Sequence, residues 1–284
     1  MKTNILKALI NLDKTKQSSI MQIYTNNNRI NSVGDSLEYY IKDLFSHSFE
    51  ISKVEEKDKI HKEYFSYLGS ANRPPDAMIN GGDAIEVKKI ESQGSRIALN
   101  SSAPKKKLYY DNPKISKDCR KAESSNWEEK DLIYIIGVVK KGELKLLWFI
   151  HGECYAASSK VYNKLAENIK KETTKAGYEF TETKELGKVK GVDPLQATDL
   201  RIRAMWHIDN PLDVFEYLDV KFDKDVDLTV YSIMTKDKYD SFPVEDKEEL
   251  ENTDLKVEDV EIKSPDNPEE VMSAKFIKGI YKDL

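Results

Sequence analysis

Cysteine is scarce in this chain: there are two, Cys119 and Cys154. That excludes a disulfide-framed secreted scaffold and predicts a reducing cytoplasm. Long apolar runs are missing as well. None approaches the roughly 20 residues of a membrane helix, so no membrane partner is expected. The opening Met1-Lys-Thr-Asn-Ile has neither a long apolar core nor a small-residue cleavage site, which predicts no signal peptide. Internal repeats and low-complexity tracts are absent. What is present argues for a folded protein. Fifteen Tyr, nine Phe and three Trp count against wholesale disorder. A length of 284 residues suits one large domain or two small ones, with a core that needs no metal or disulfide staple.

A net charge of −5 speaks at first against a nucleic-acid partner. Locally the charge is uneven. From Lys88 to Lys121 there are ten basic residues and three acids, or +7. From Glu245 to Glu270 there are twelve acids and three lysines, or −9. The total averages a basic middle and an acidic end, an asymmetry that hints at a polyanion-binding face. Two solvated surfaces would produce the same counts.

The spacing of Ile5, Leu9 and Leu12 predicts an opening helix within residues 4–24. Residues 26–31 read as a polar loop. Asp35 or Ser36 can cap a helix through about Phe45, with Leu37, Tyr40, Ile41, Leu44 and Phe45 on one stripe. After a charged stretch (residues 53–62) and a turn around Pro74-Pro75, Asp76 to Ile79 reads as a short strand. Asn80-Gly-Gly-Asp is a hairpin turn signal. Ala84 to Ile90 alternates as a strand, with Ile85 and Val87 on one face and Glu86 and Lys88 on the other. Residues 132–139 and 144–151 read as a buried hairpin or adjacent central strands. Residues 161–171 and 211–218 read as helices. Arg201 to Trp206 reads as a strand with its arginines on one side.

The hairpin brings chemistry together. It sets Asp76 at the head of one strand and Glu86 and Lys88 on one face of the next. Two carboxylates so placed can hold a hard divalent cation such as Mg2+, with the main-chain carbonyl of Val87 as a third oxygen ligand. Lys88 then points at the same space. It could orient or deprotonate a water, or offset charge growing on a phosphoryl group. A bare pattern of this kind also occurs in ordinary exposed hairpins. The apolar strand pair, the tight turn and the basic stretch that follows favour a site. Glu38 either completes it from the upstream helix or is a surface acid near a helix start. Elsewhere the signals are weak. His151 and Cys154 lack a second ligand pair for zinc. The four histidines fall in no hydrolase pattern, and Cys119 reads as an incidental thiol.

The arrangement of Pro75-Asp76, nine residues, then Glu86-Val87-Lys88 resembles the core of the PD-(D/E)xK nuclease superfamily. Further words resemble the NgoPII type of restriction enzyme. They include residues 34–45, 82–92 and 98–109, Trp127-Glu-Glu-Lys-Asp, residues 147–157, Lys184-Glu-Leu-Gly, Asp193-Pro-Leu and residues 200–206. The pattern departs at Ala103, where an aromatic residue is expected before Pro-Lys.

The resemblance implies an α/β (α+β) fold, a mixed β-sheet flanked by helices around a restriction-endonuclease-like core. It implies a bacterial, cytoplasmic, Mg2+-dependent type II enzyme, a homodimer cutting double-stranded DNA at a palindrome such as GGCC. One or two ions would act per site. A cognate methyltransferase would act on the same site without being a stable partner. Asp76, Glu86, Lys88 and Glu38 would form the catalytic set. Candidate DNA contacts are Arg96, Asn100, Ser101, Ser102, Lys105, Lys106 and Lys107 after the catalytic strand, and Arg201 and Arg203 beyond it. Residues 1–240 are expected to form the nuclease domain and residues 241–284 an acidic extension packed on it or peripheral to it. Two other readings stay open: a nuclease-fold DNA-binding protein without cleavage, and a related nuclease with an interrupted G/C-rich site.

Overall fold

The computed structural model describes residues 2–20, 33–70, 73–123, 127–183 and 185–284. Helix α1 (Ile5–Thr15) begins at Asn4, whose side chain accepts the Lys7 N–H, and buries Ile5, Leu6, Leu9, Ile10 and Leu12. It stops short of the expected run because Lys16 turns left-handed, at φ 49°. The chain then extends: the Ile20 N–H donates to Gly142, and Ser18 accepts from Leu144. The loop expected at residues 26–31 lies outside the described residues, as do Ala71, Asn72 and Lys184.

Helix α2 (Val33–Ser46) starts before the expected cap, so Ser36 is inside the helix and buried. Its stripe Leu37, Tyr40, Ile41, Leu44 and Phe45 is buried as the spacing predicts. The charged stretch that followed was read without a helix, yet it forms α3 (Val54–Tyr64). The signal was hidden because two of its three inward residues, Lys57 and His61, are polar. Both are paired: Asp43 of α2 accepts from Lys57 and lies 2.8 Å from His61 Nε2. A buried charge is tolerated only with such partners.

Strands β1 (Phe65–Ser70), β2 (Arg73–Ile79) and β3 (Ala84–Ile90) follow. The β2–β3 turn forms as expected, with Gly81 left-handed at φ 68° and the Gly82 N–H donating to Ile79. Then come β4 (Ile97–Asn100), β5 (Lys107–Tyr109) and the short α4 (Lys117–Arg120). Strands β6 (Glu129–Lys140) and β7 (Glu143–His151) form the expected central hairpin. Helix α5 (Ser159–Lys175) precedes β8 (Glu179–Glu182), β9 (Gly187–Lys190), β10 (Leu200–Ile202), β11 (Trp206–Ile208) and α6 (Pro211–Val214). The chain closes with β12 (Leu228–Thr235), α7 (Lys236–Asp240), α8 (Val244–Glu251), β13 (Lys256–Lys263) and β14 (Val271–Tyr281).

A nine-stranded mixed sheet runs β1-β2-β3-β6-β7-β12-β14-β13, with β5 also paired to β6. β3 is parallel to β6 and β7 is parallel to β12, while the other neighbours are antiparallel. One face packs α1 and α2 against Ile85, Ile133, Ile135 and Phe149. The opposite face carries Trp148, Tyr231, Phe276 and Phe215. Trp148 lies 4.6 Å from Tyr231, and Tyr231 stacks on Phe276 at 5.5 Å. A central sheet buried on both faces explains the near-continuous apolar runs of β6, β7 and β12. This is the mixed α/β architecture that the sequence reading anticipated.

The acidic end is part of this sheet. Residues 241–284 supply α8, β13 and β14, and β14 pairs with β12 along eight consecutive residue pairs. The boundary expected after residue 240 thus divides the chain but not the sheet. β13 forms the edge farthest from β1, so its acids Glu258, Asp259 and Glu261 lie on the fifth strand beyond β3.

Candidate active site

β2 and β3 pair for two residues only, Ala77 with Ile85 and Met78 with Ala84. Beyond Ala77 the strands part, and the Asp76 carboxylate takes over the ladder. Its Oδ2 accepts the Val87 N–H at 2.6 Å, so a backbone donor of β3 keeps a partner. On β3 the alternation is as expected. Ile85 and Val87 face the helix side, and Ala84 and Ile90 belong to the opposite cluster. Glu86 and Lys88 share that second face, with the Lys88 ammonium 2.7 Å from Glu86 Oε1.

Electrostatics tie the group together. Burial and then the Glu86 charge push the Asp76 carboxyl up to about 7, with Lys88 and the Val87 N–H acting the other way. Burial lowers the Lys88 pKa, but Glu86 and Asp76 outweigh it, so the net shift is upward. Lys88 is held as a cation in this arrangement. The Asp76 and Glu86 carboxylates repel one another, and a divalent cation, were one bound, would relieve that repulsion. Among the described residues no three His, Cys, Asp or Glu side chains gather as a metal set. An ion held by two carboxylates would therefore complete its shell with main-chain, water and substrate oxygens.

Glu38 is the helix member of the expected set. It lies on α2, on the helix side of the sheet, at 36% side-chain exposure and 4.0 Å from Lys42. Its charge nevertheless acts on both Asp76 and Lys88.

The candidate DNA contacts divide sharply. Arg96 pairs with Asp209 at 2.6 Å. Lys106 pairs with Asp266, and Lys107 with Glu129 at 2.6 Å and Asp131 at 3.4 Å. Asn100 is exposed at the end of β4 with φ 52°, Ser101 accepts from Lys114 through its carbonyl, and the Ser102 N–H donates to Leu99. The run from Arg201 to Trp206 is not one strand. β10 ends at Ile202 and β11 begins at Trp206, and Arg203 lies between them. Arg201 and Arg203 instead converge on Glu185 Oε2, at 3.2 and 2.9 Å. Like charges on neighbouring positions are held by one shared carboxylate.

Sequence reasoning missed Tyr134, Lys114 and Gly152. Lys114 and Lys105 line a narrow cleft with Glu86, Pro74 and Pro75. Tyr134 sits beside Glu86 in the β3–β6 register and bonds to the main chain of Lys105. The signal for Tyr134 was present: it is the one side chain with a polar tip in the apolar run of residues 132–139.

Comparison with known proteins bears on the whole chain. No solved structure matches it significantly. The type II restriction enzyme NgoPII of Neisseria gonorrhoeae is 44% identical over 277 residues, which is 96% of this chain and 98% of that protein. The model of the NgoPII restriction endonuclease family matches residues 3–264, a span that includes β2, β3 and most of the acidic segment. The chain belongs to the NgoPII restriction endonuclease family.

Proposed function

We propose that this site-specific deoxyribonuclease hydrolyses phosphodiester bonds of double-stranded DNA at a short palindrome, with GGCC as its target and Mg2+ as its cofactor. The observation that carries the reading is the Asp76–Glu86–Lys88 group on two diverging strands, with two mutually repelling carboxylates and a lysine at 2.7 Å. Mg2+, when bound, supplies Lewis-acid polarisation of the phosphate and a more acidic water. Asp76, Glu86 and the Val87 carbonyl would hold it. Lys88, kept protonated by the two carboxylates, offsets charge growing on the phosphoryl oxygens. Glu38 contributes field rather than a ligand atom.

Arg96, Asn100, Ser101, Ser102, Lys106, Lys107, Arg201 and Arg203 form the wider DNA-facing set. Those now in ion pairs would exchange carboxylate partners for phosphates or guanine edges on binding. A target with two-fold symmetry is met most economically by a homodimer. A methyltransferase acting on the same sequence would protect the host genome in the cytoplasm. The test is cleavage of unmethylated DNA of known sequence with Mg2+. Discrete fragments ending at GGCC are expected, and Asp76→Ala or Lys88→Ala should abolish them with the circular dichroism spectrum unchanged. Intact DNA under every divalent ion tried, with salt-dependent binding retained, would mean a DNA-binding protein without cleavage.

A further inference from the structure

The lysines after β3 are not equivalent. Lys106 and Lys107 are tied to carboxylates. Lys105 is not: among the described residues its ammonium enters no ion pair. Its side chain is half-buried and lines the narrow cleft that also contains Glu86. The charges that act on it are Glu86 and Lys88, the members of the catalytic group on β3. Burial lowers its pKa and Glu86 raises it in part, while an arriving phosphate anion would raise it further.

Its main chain is clamped on two sides. The Lys105 N–H donates to the Tyr134 hydroxyl at 2.8 Å, and that hydroxyl donates to the Lys105 carbonyl at 3.2 Å. Tyr134 is fully buried and pairs with Glu86 across the parallel β3–β6 ladder, so the clamp is built on the strand next to the catalytic one. Gly152, just past β7, lies under the Lys105 and Lys106 carbonyls so closely that a Cβ would collide with both. A half-buried ammonium with no carboxylate partner costs stability.

We propose that Lys105 is a second catalytic lysine, its ammonium contacting a non-bridging oxygen of the scissile phosphate, with Tyr134 as its positioning residue. The proposal rests on the reading of Asp76, Glu86 and Lys88 as the cleavage site. A phosphodiester brings negative charge to a cleft that already holds the Glu86 carboxylate. A fixed cation there is worth more than in water, and it acts where charge grows in the transition state.

The test pairs single-turnover cleavage with DNA binding measured under Ca2+. Lys105→Met should slow cleavage by about 100-fold, in the range seen for loss of one transition-state contact. Affinity should change by less than about threefold, as befits one phosphate contact among many. Tyr134→Phe keeps the ring and removes the clamp. It should slow cleavage about tenfold through misplacement, with affinity unchanged and a melting temperature lowered by no more than the loss of two hydrogen bonds. In the Lys105→Met background, Tyr134→Phe should have no further effect on rate, whereas a purely structural tyrosine would add its own loss. Wild-type single-turnover rates in either single variant overturn the proposal, as does a Lys105→Met loss matched by an equal loss of affinity. Should Asp76→Ala still cut DNA, the failure lies with the cleavage-site reading itself.

Discussion

Acidification should destabilise this protein through one residue, His151. It ends β7, is 3% exposed, and its Nε2 has no hydrogen-bond partner among the described residues. Asp83 Oδ2 is 4.0 Å away, too far for a hydrogen bond, and the Asp83 charge is largely offset by Lys238 at 2.6 Å. Burial therefore dominates and lowers the pKa from 6.5 to about 4, with Asp83 and Asp131 opposing and Lys238 assisting. The unfolded chain binds a proton near pH 6.5 that the folded chain refuses until about pH 4. Stability is thus complete above 6.5 and is lost as pH falls through that window. Between pH 7 and pH 5 the linkage costs about 2 kcal/mol. Urea unfolding followed by circular dichroism at both pH values measures it. Because carboxylates also change stability on acidification, the decisive quantity is the difference between wild type and His151→Gln. The variant should lose about 2 kcal/mol less over that range. Equal losses in the two proteins, or a folded-state His151 titrating near its ordinary value, would refute the reasoning.

Two further expectations follow from packing. Gly152→Ala should destabilise by about 1–3 kcal/mol, since the methyl meets main-chain oxygens that cannot rotate away; denaturant titration checks the stability, and single-turnover cleavage should slow as the Lys105 segment shifts. Phe276→Ala, in the strand contributed by the acidic end, should cost about 3–5 kcal/mol because the ring is 2% exposed and stacks on Tyr231; a loss below about 1 kcal/mol in thermal or urea unfolding would mean that this strand is dispensable to the core.

The −9 stretch and the +7 stretch do not act as separate blocks. Asp266 reaches Lys106 and accepts the Ser158 N–H, and Asp246 is buried against Asn4 and Lys7. Part of the acidity is used inside the fold. Three more of these acids, Glu258, Asp259 and Glu261, lie on the edge strand β13, remote from the Asp76–Glu86–Lys88 group on β2 and β3.

Local pattern was enough for the β2–β3 hairpin of the candidate site. A tight turn of Asn80 to Asp83 and a period-2 strand leave little freedom, and they place Glu86 and Lys88 on one face whatever the rest of the chain does. The α2 stripe and the β6–β7 pair were legible for the same reason, because their apolar periodicity reflects burial directly. Helix α3 was not, since its inward face is an ion-paired lysine and histidine whose partner Asp43 lies on another helix. The role of β14 was not legible either. Pairing with β12 joins residues 39 to 53 positions apart, and no local signal encodes that partner. The same holds at the active site. Sequence placed Asp76, Glu86 and Lys88 together, because one short hairpin does so. Only the tertiary fold separated Lys105 from its neighbouring lysines, because what distinguishes it is a tyrosine clamp and a cleft built from strands distant in the chain.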